Sequence, residues 1–203
     1  MEVRETLTVS RTVPPRDEAI KAKLSSYQNV RRAGFCGFDD GSNGVFVTTR
    51  FADSNQVHYV AEPLGMRSQL TYLNEPVSLC CPATSEFRRI FHKSISEPSS
   101  ADSTPIFVYE QDTGGDENAQ YFLFHNGKHT KLTCNNKEKP PAMHRSWTWN
   151  STNGSAAYSS NERDGACFDL YIVRAEAISD FVSSKLARNE KENSIALSSS
   201  LVY

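Results

Sequence analysis

The sequence predicts an all-β fold built from short antiparallel strands. From residue 33 onward, short runs of β-branched and aromatic residues alternate with turn signals rich in Gly, Asn, Asp and Pro. Such alternation, with Asn-Gly pairs at several turns, is typical of antiparallel meanders. The same order of strands also recurs three times along the chain, which indicates repeated units.

We place the three units at about residues 34–75, 76–142 and 143–173. In each unit a first strand is followed by a second (VFVTTR, PIFVYEQ, SAAYSS) and a third (QVHYVA, AQYFLFH, FDLYIV). A fourth strand, SQLT or TKLT, closes the first two units, whereas the third unit stops one strand short. In the second unit, we expect a loop of about twenty residues, rich in Ser, Pro and charge, after the first strand. Four antiparallel strands per unit predict about three blades of a β-propeller.

Two flanking regions lie outside this repeat. Residues 1–32 are expected to hold a strand and a short helix over about 16–26, because Pro stands at its first turn, acidic residues follow and Lys comes later. Residues 174–203 predict a short helix and a divergent Ser-rich tail. The propeller region is therefore expected to be 33–173.

Composition limits the classes of partner. The formal net charge is −2, and no Lys/Arg cluster exceeds two adjacent residues, so the chain lacks the basic surface of a nucleic-acid-binding protein. No apolar run is long enough to span a bilayer, and charges occupy the start where a signal peptide needs an apolar stretch. We therefore expect a cytoplasmic protein with neither nucleic acid nor membrane as partner.

Cysteine usage agrees with that compartment. The five cysteines form no CxxC pair, and their odd number favours reduced core thiols. A vicinal disulfide between Cys80 and Cys81 would be strained, so both are expected to remain thiols. Two glycosylation sequons, at Asn150 and Asn153, point weakly to an exported protein, and their use stays open.

The third unit resembles a known repeat. WNSTNGSAAYSSNERDGACFDLYIV is similar to the TolB-type propeller repeat, whose blades run roughly WSPDG…IAFSS.RDG..DLYVV and end in a short LT strand. Asn153-Gly154 stands where that repeat has a Pro-Asp-Gly turn, and both supply positive φ angles. The Gly-His and Trp-Asp signature of WD repeats is missing.

Flanking segments narrow the resemblance. AKLSSYQNVRRAGF, TTRFADSNQVHYV, RSQLTYLNEPVS and EQDTGGDENAQYFLF resemble the amino-terminal half of the propeller in prolyl-oligopeptidase-type serine peptidases, including acylaminoacyl-peptidase and dipeptidyl-peptidase-like members. The resemblance covers about residues 24–173. It implies a propeller that lies over an α/β-hydrolase domain and admits short or unfolded peptides to its active site. Peptide substrate would then be a partner only if a hydrolase domain is supplied.

The chain departs from that family in one respect. About three blades cannot close a ring, and the propeller pattern stops after Val173. We therefore interpret the chain as a propeller truncated before the hydrolase domain. Open strand edges and apolar blade faces favour self-association or a partner protein.

The motifs of catalysis are not found in the sequence. No G-x-S-x-G nucleophile elbow occurs, and none of the histidines has a motif-supported Ser or Cys nucleophile. The chain alone is expected not to be a serine peptidase, and no catalytic or cofactor-binding residue is assigned. The histidines are His58, His92, His125, His129 and His144.

Two candidate metal sites have simpler explanations. Asn126-Gly127 predicts a hairpin in which His125 and His129 face each other across strands as ordinary polar residues, without a third ligand. The acidic segment QDTGGDEN, with Asp112, Asp116 and Glu117, lacks the spacing of a calcium loop and is expected to be a blade turn. No metal or other cofactor is therefore predicted.

Two functional hypotheses remain. In the first, the chain is a non-catalytic propeller fragment of a prolyl-oligopeptidase-type peptidase, with an ancestral role in gating peptide access. In the second, it is a stand-alone β-repeat module for protein–protein interaction. Trp147 and Trp149 lie two residues apart on the same face of one strand. Packing between blades explains these two tryptophans without a ligand.

Overall fold

The computed structural model is mostly β, and its described residues form three larger antiparallel sheets, one two-stranded sheet and three helices. It describes residues 2–4, 7–9, 14, 17–28, 30–40, 42–51, 54–95, 104–133, 141–188 and 200–201. Two short strands, β1 (Glu2–Arg4) and β2 (Leu7–Val9), pair with each other and precede α1 (Glu18–Gln28). The helix expected near residues 16–26 is thus confirmed, and the Asp17 carboxylate accepts the Ala19 N–H at 2.8 Å at its start.

Each of the three sheets is a meander of strands that are consecutive in the chain. The first contains β3 (Gly34–Phe38), β4 (Val45–Thr49), β5 (Gln56–Val60) and β6 (Arg67–Gln69). The second contains β7 (Leu79–Pro82), β8 (Ile106–Gln111), β9 (Gln120–His125) and β10 (Lys128–Lys131). The third contains β11 (His144–Trp149), β12 (Ala156–Ser160), β13 (Asp169–Val173) and the two-residue β14 (Ser200–Leu201).

The first two sheets share a buried hydrogen-bond pair, here called the Gln–Thr pair. In the first sheet, the Thr71 hydroxyl donates to Gln56 Oε1 at 2.7 Å and accepts the Val57 N–H at 2.9 Å. In the second, Thr133 donates to Gln120 Oε1 at 3.2 Å and accepts the next N–H of β9 at 2.9 Å. Both pairs tie the start of the third strand to the chain after the fourth strand, so the two sheets are repeats in hydrogen bonding as well as in strand order.

The sheets stack face to face, with the second in the middle. One core lies between the first and second sheets and contains Phe46, Val57, Cys80, Phe107, Tyr109 and Phe124. Another lies between the second and third sheets and contains Val108, Tyr121, Leu123, Trp147, Tyr158 and Tyr171. Both faces of the second sheet are therefore buried, which explains why its central strands read as unbroken apolar runs.

A helix, α2 (Ser85–Ile95), lies where the sequence predicted a loop. That expectation was wrong for residues 85–95, while residues 96–103 lie outside the described part of the chain. Phe87 and Phe91 are both 0 % exposed and recur at a helical spacing of four, so one face of the segment is apolar. The Thr84 hydroxyl accepts the Phe87 N–H at 3.3 Å, as an N-cap does. Long-range packing of this face stabilises the helix despite its charged sequence.

A buried ion pair joins α2 to the first sheet. The Arg88 guanidinium donates to the Asp39 carboxylate in the β3–β4 turn, and their side chains are only 6% and 5% exposed. The Tyr59 hydroxyl donates to the same carboxylate at 2.8 Å, and Arg88 also donates to the Thr104 carbonyl at 3.0 Å. The neighbouring Asp40 accepts the Ser85 N–H at 2.6 Å. Because every charge has several partners, the pair can remain buried.

The third sheet meets the other side of α2. Phe87 packs on Trp149 with ring centroids 4.5 Å apart. Gly154, in the β11–β12 turn, has a φ of 67°, and a Cβ there would lie 2.7 Å from the Phe87 nitrogen. Only glycine thus allows both this turn and the close approach of the helix.

The third sheet is completed differently from the other two. After β13 the chain enters α3 (Ala175–Arg188), which confirms the helix expected after Val173, and α3 packs through Ile178 and Val182 into the core that contains α2. The fourth position is then filled by β14, which pairs with β13 through Tyr171 and Ile172. No strand follows β13 directly, as the sequence predicted for the third unit, and only two residues of the distant tail pair with it. None of the described helices is long and apolar enough to cross a membrane.

We expect Asp39→Asn to lower the free energy of unfolding by about 3 kcal/mol or more, because it leaves the Arg88 charge buried without its carboxylate. Urea denaturation monitored by circular dichroism measures this change. The control is Glu86→Gln, which removes the partner of the exposed Arg89 on the same helix and should change stability little. Equal losses for the two variants would contradict the importance of the buried pair.

Candidate functional site

An exposed apolar surface on β13 is the strongest candidate for a functional site. Three residues form this free face of the third sheet, and they are exposed to 45%, 54% and 38%: Phe168, Leu170 and Ile172. The intervening residues Tyr171 and Val173 are each only 2% exposed and point into the core. The third strand of this sheet thus carries apolar side chains on both faces, of which one is covered.

Strand register identifies what these residues correspond to in the other two sheets. Gln56, Gln120 and Asp169 each pair with the last residue of the preceding strand and therefore occupy equivalent positions. By the same register, Leu170 corresponds to Val57 and Tyr121, and Ile172 corresponds to Tyr59 and Leu123. Val57 and Tyr121 are 0% exposed because the next sheet covers them. Leu170 therefore stands at a position that is buried between sheets elsewhere in this chain.

Polar groups border the free face of the third sheet. The Arg145 guanidinium lies over the Phe168 ring, 5.4 Å from its centroid. The Arg163 Nε lies 2.8 Å from the Asp169 carboxylate as an ion pair, on the edge where the other sheets carry the Gln–Thr pair. An apolar centre with a polar border is the usual composition of a protein–protein contact surface.

The opposite end of the stack carries a second apolar surface, the free face of the first sheet. Phe35 and Phe38 are 64% and 69% exposed, and their rings meet edge to face with centroids 5.2 Å apart. They pair with Val47 and Val45, whose equivalents in the second sheet are buried against the first. Both ends of the three-sheet stack therefore expose the kind of surface that its interior uses for packing.

The His125–His129 hairpin forms as expected, but the two rings do not face each other. Asn126 and Gly127 both have positive φ, 49° and 72°, as a two-residue hairpin requires. The register pairs His125 with Lys128, so His129 pairs with Phe124 and points to the opposite face of the sheet. His129 Nδ1 hydrogen-bonds the Tyr109 hydroxyl at 2.9 Å. The predicted contact across the strands was wrong because the loop has two residues.

The acidic turn is organised by its own backbone. Gly114 and Gly115 form its tip with positive φ, and the Asp116 carboxylate accepts the N–H groups of Thr113 and Asn118 at 3.3 and 3.0 Å. In the part of the chain that the structure describes, no three His, Cys, Asp or Glu residues come together in a way that could hold a metal ion.

The two tryptophans pack as expected between sheets. Trp147 and Trp149 contact each other with ring centroids 5.3 Å apart. The Trp149 indole N–H donates to the Cys81 carbonyl of the second sheet at 3.4 Å. The backbone N–H of Trp147 donates to the Tyr121 hydroxyl at 3.1 Å. Both residues belong to the interface between the second and third sheets.

His144 is a buried histidine with a strongly lowered pKa. It is 0% exposed, and neither ring nitrogen has a hydrogen-bond partner among the residues that the structure describes. Burial lowers its pKa to about 4, and the positive charge of Lys131 adds to the effect. The rings of Tyr121 and Tyr158 pack beside the imidazole ring, and within the described part of the chain no serine hydroxyl reaches either nitrogen, so His144 is placed as a neutral core residue.

Comparison with known proteins gave no match to any family model, curated protein or solved structure.

The sequence predicts exposed apolar blade faces, but it does not show which residues form them. The segment FDLYIV has apolar residues at five of its six positions, and such a strand is expected to be covered on both faces. That pattern, at the end of the last repeat, could have identified Leu170 and Ile172.

We expect the stability of the protein to fall between pH 7 and pH 4, in part through His144. The folded protein keeps this ring neutral down to about pH 4, whereas in the unfolded chain it takes up a proton below its ordinary pKa of about 6.5. The contribution lost by pH 4 is about 3 kcal/mol. His144→Leu should therefore flatten the curve of unfolding free energy against pH, and parallel curves for the two proteins would contradict this role.

Proposed function

We propose that this chain is a non-catalytic set of three β-propeller blades whose free end faces pack against further blades. The observation that carries the proposal is the equivalence of the exposed Leu170 to the buried Val57 and Tyr121. Face-to-face stacking of consecutive four-stranded meanders supports a propeller-like arrangement, since blades pack in this way around a ring.

The role that fits this proposal best is that of a gate. The resemblance of residues 24–173 to the propeller of prolyl-oligopeptidase-type peptidases supports a part in controlling peptide access to a hydrolase domain. Apolar faces at both ends support the presence of neighbouring blades beyond the three described here. In this role the chain positions and excludes substrate, while the hydrolase domain supplies the nucleophile, base and oxyanion-binding groups.

A stand-alone interaction module is the second candidate, and the exposure of Phe168, Leu170 and Ile172 is what favours it. An isolated chain with this surface would associate with itself or with a partner protein. The two candidates differ in what completes the stack: blades of the same polypeptide in the first, and a separate chain in the second.

The nucleotide sequence downstream of codon 173 separates the two candidates. A continuing reading frame with further blades and a G-x-S-x-G elbow would support the gate. A gene that ends with this tail, together with a stable monodisperse oligomer of the 203-residue chain, would support the interaction module. The purified chain should hydrolyse neither acyl-peptide nor ester substrates, and hydrolysis that persists after removal of host enzymes would refute a non-catalytic role.

We expect the double variant Leu170→Lys, Ile172→Lys to reduce self-association of the isolated chain, because it places two charges on the free face of the third sheet. Sedimentation velocity over a concentration series measures the change. The control is Leu64→Lys, Met66→Lys, which alters two apolar side chains that are at least as exposed, in the turn between β5 and β6. An equal effect of both double variants would argue for unspecific stickiness, and a wild-type chain that is monomeric throughout would refute association through this face.

A further inference from the structure

Cys36 lies at a β-bulge of β3, and its side chain points toward the second sheet. The register pairs Phe35 with Val47 and Gly37 with Phe46, so Cys36 is the extra residue of a β-bulge. The two strands run close together here, since a Cβ on Gly37 would lie 3.1 Å from the Pro82 side chain of β7. The bulge therefore places the Cys36 side chain at the junction between the first and second sheets.

The partner of Cys36 across this junction is Cys80. Cys80, on β7, is 4% exposed and belongs to the core between the two sheets, against which the half-buried Cys36 packs. The Cys80 thiol and the Thr48 hydroxyl on β4 lie close enough to the Cys36 sulfur to stabilise its thiolate by hydrogen bonding. The Cys36 thiol itself donates to the Gly34 carbonyl of its own strand at 3.7 Å. Neither cysteine is in a disulfide.

Their surroundings give the two sulfurs different chemical character. The hydrogen bond from Cys80 lowers the pKa of Cys36 more than burial raises it, and Thr48 adds to the lowering. Burial raises the pKa of Cys80 well above its usual value. Cys36 is thus the sulfur that becomes a thiolate, and it is also the more accessible of the two, which are the properties of a cysteine that reacts first with an oxidant.

The adjacent Cys81 faces away from this pair. Successive residues of a strand point to opposite faces, and Cys81 Sγ donates to the Trp147 carbonyl of the third sheet at 3.5 Å. Burial raises its pKa to about 11. The geometry therefore selects Cys80 rather than Cys81 as the partner of Cys36.

We propose that Cys36 and Cys80 form an oxidation site at which hydrogen peroxide introduces a reversible disulfide between the first and second sheets. The Cys36 thiolate attacks one peroxide oxygen, the O–O bond breaks, and hydroxide leaves and takes up a proton to become water. The resulting sulfenic acid is attacked by the Cys80 sulfur, which releases its proton as the S–O bond breaks and a second water leaves. Two thiols are oxidised by two electrons while one peroxide is reduced to two waters.

The disulfide would link β3 directly to β7. It would close a loop that contains nearly all of the first sheet, and a small thiol such as glutathione would reverse it by exchange. The oxidised chain would hold its first sheet against the second by a covalent bond as well as by packing. This site depends on the contact between two sheets and not on the proposed function.

Peroxide treatment of the full chain, followed by alkylation under denaturing conditions and peptide mapping by mass spectrometry, tests the proposal. We expect the loss of two free thiols per chain and a peptide pair joined through Cys36 and Cys80, both reversed by dithiothreitol. Cys36→Ser and Cys80→Ser should abolish this link, whereas Cys81→Ser should retain it. The exposed Cys167 serves as an internal standard for oxidation that needs no partner.

A kinetic comparison covers the case in which a cysteine variant fails to fold. Thr48→Val removes a hydroxyl that hydrogen-bonds the Cys36 sulfur, so the pH of half-maximal reaction of Cys36 with peroxide should shift upward, with no shift at Cys167. A link from Cys81, a link only between different chains, or the absence of thiol loss would overturn the proposal. An unchanged pH profile in Thr48→Val would overturn the assigned activation of Cys36.

Discussion

Burial of the second sheet on both faces is the constraint on which the rest of the structure depends. Its two central strands, β8 and β9, alternate between two cores, and so each must be apolar at nearly every position. That requirement fixes the register, because a slip of one residue would exchange the two sets of side chains. Four apolar residues of β8 and β9 face the first sheet and four face the third: Phe107, Tyr109, Phe122 and Phe124, against Ile106, Val108, Tyr121 and Leu123. Each outer sheet packs one face against the second sheet, and no sheet of the described residues packs against its other face.

Polar interactions then decide how each sheet ends. In the first two sheets the Gln–Thr pair satisfies buried backbone and amide groups where the chain leaves the fourth strand. In the third sheet, Asp169 takes the place of the glutamine and pairs with Arg163 in the preceding turn. This ion pair is partly exposed, and it stands where the other two sheets have the buried Gln–Thr pair. The chain then turns away from β13 into α3.

Local patterns carried most of what could be predicted from the sequence. Strand order, the hairpin at Asn126-Gly127 and the helices at both ends follow from turn residues and capping, which act over a few positions. The helix α2 was missed because its stabilisation is distant: Arg88 pairs with Asp39, 49 residues earlier. The face of the sheet to which His129 points depends on the length of the hairpin loop, because one residue more or less would turn its side chain to the other face. The contact between Cys36 and Cys80 depends on a β-bulge in β3, and no residue pattern in the sequence predicts that bulge.

The glycine at the β11–β12 turn has a consequence for how separable the units are. Gly154 has the backbone conformation expected of a hairpin turn, yet the space beside its Cα is occupied by the Phe87 backbone at the start of α2. A residue of one unit is thus constrained by an insertion in another. The three units are consequently not interchangeable. A third unit placed beside a unit that lacks α2 would leave its β11–β12 turn uncovered. A third unit that lacked Gly154 could not pack against α2. Duplication can create such a stack, but after a contact of this kind the units can change only together.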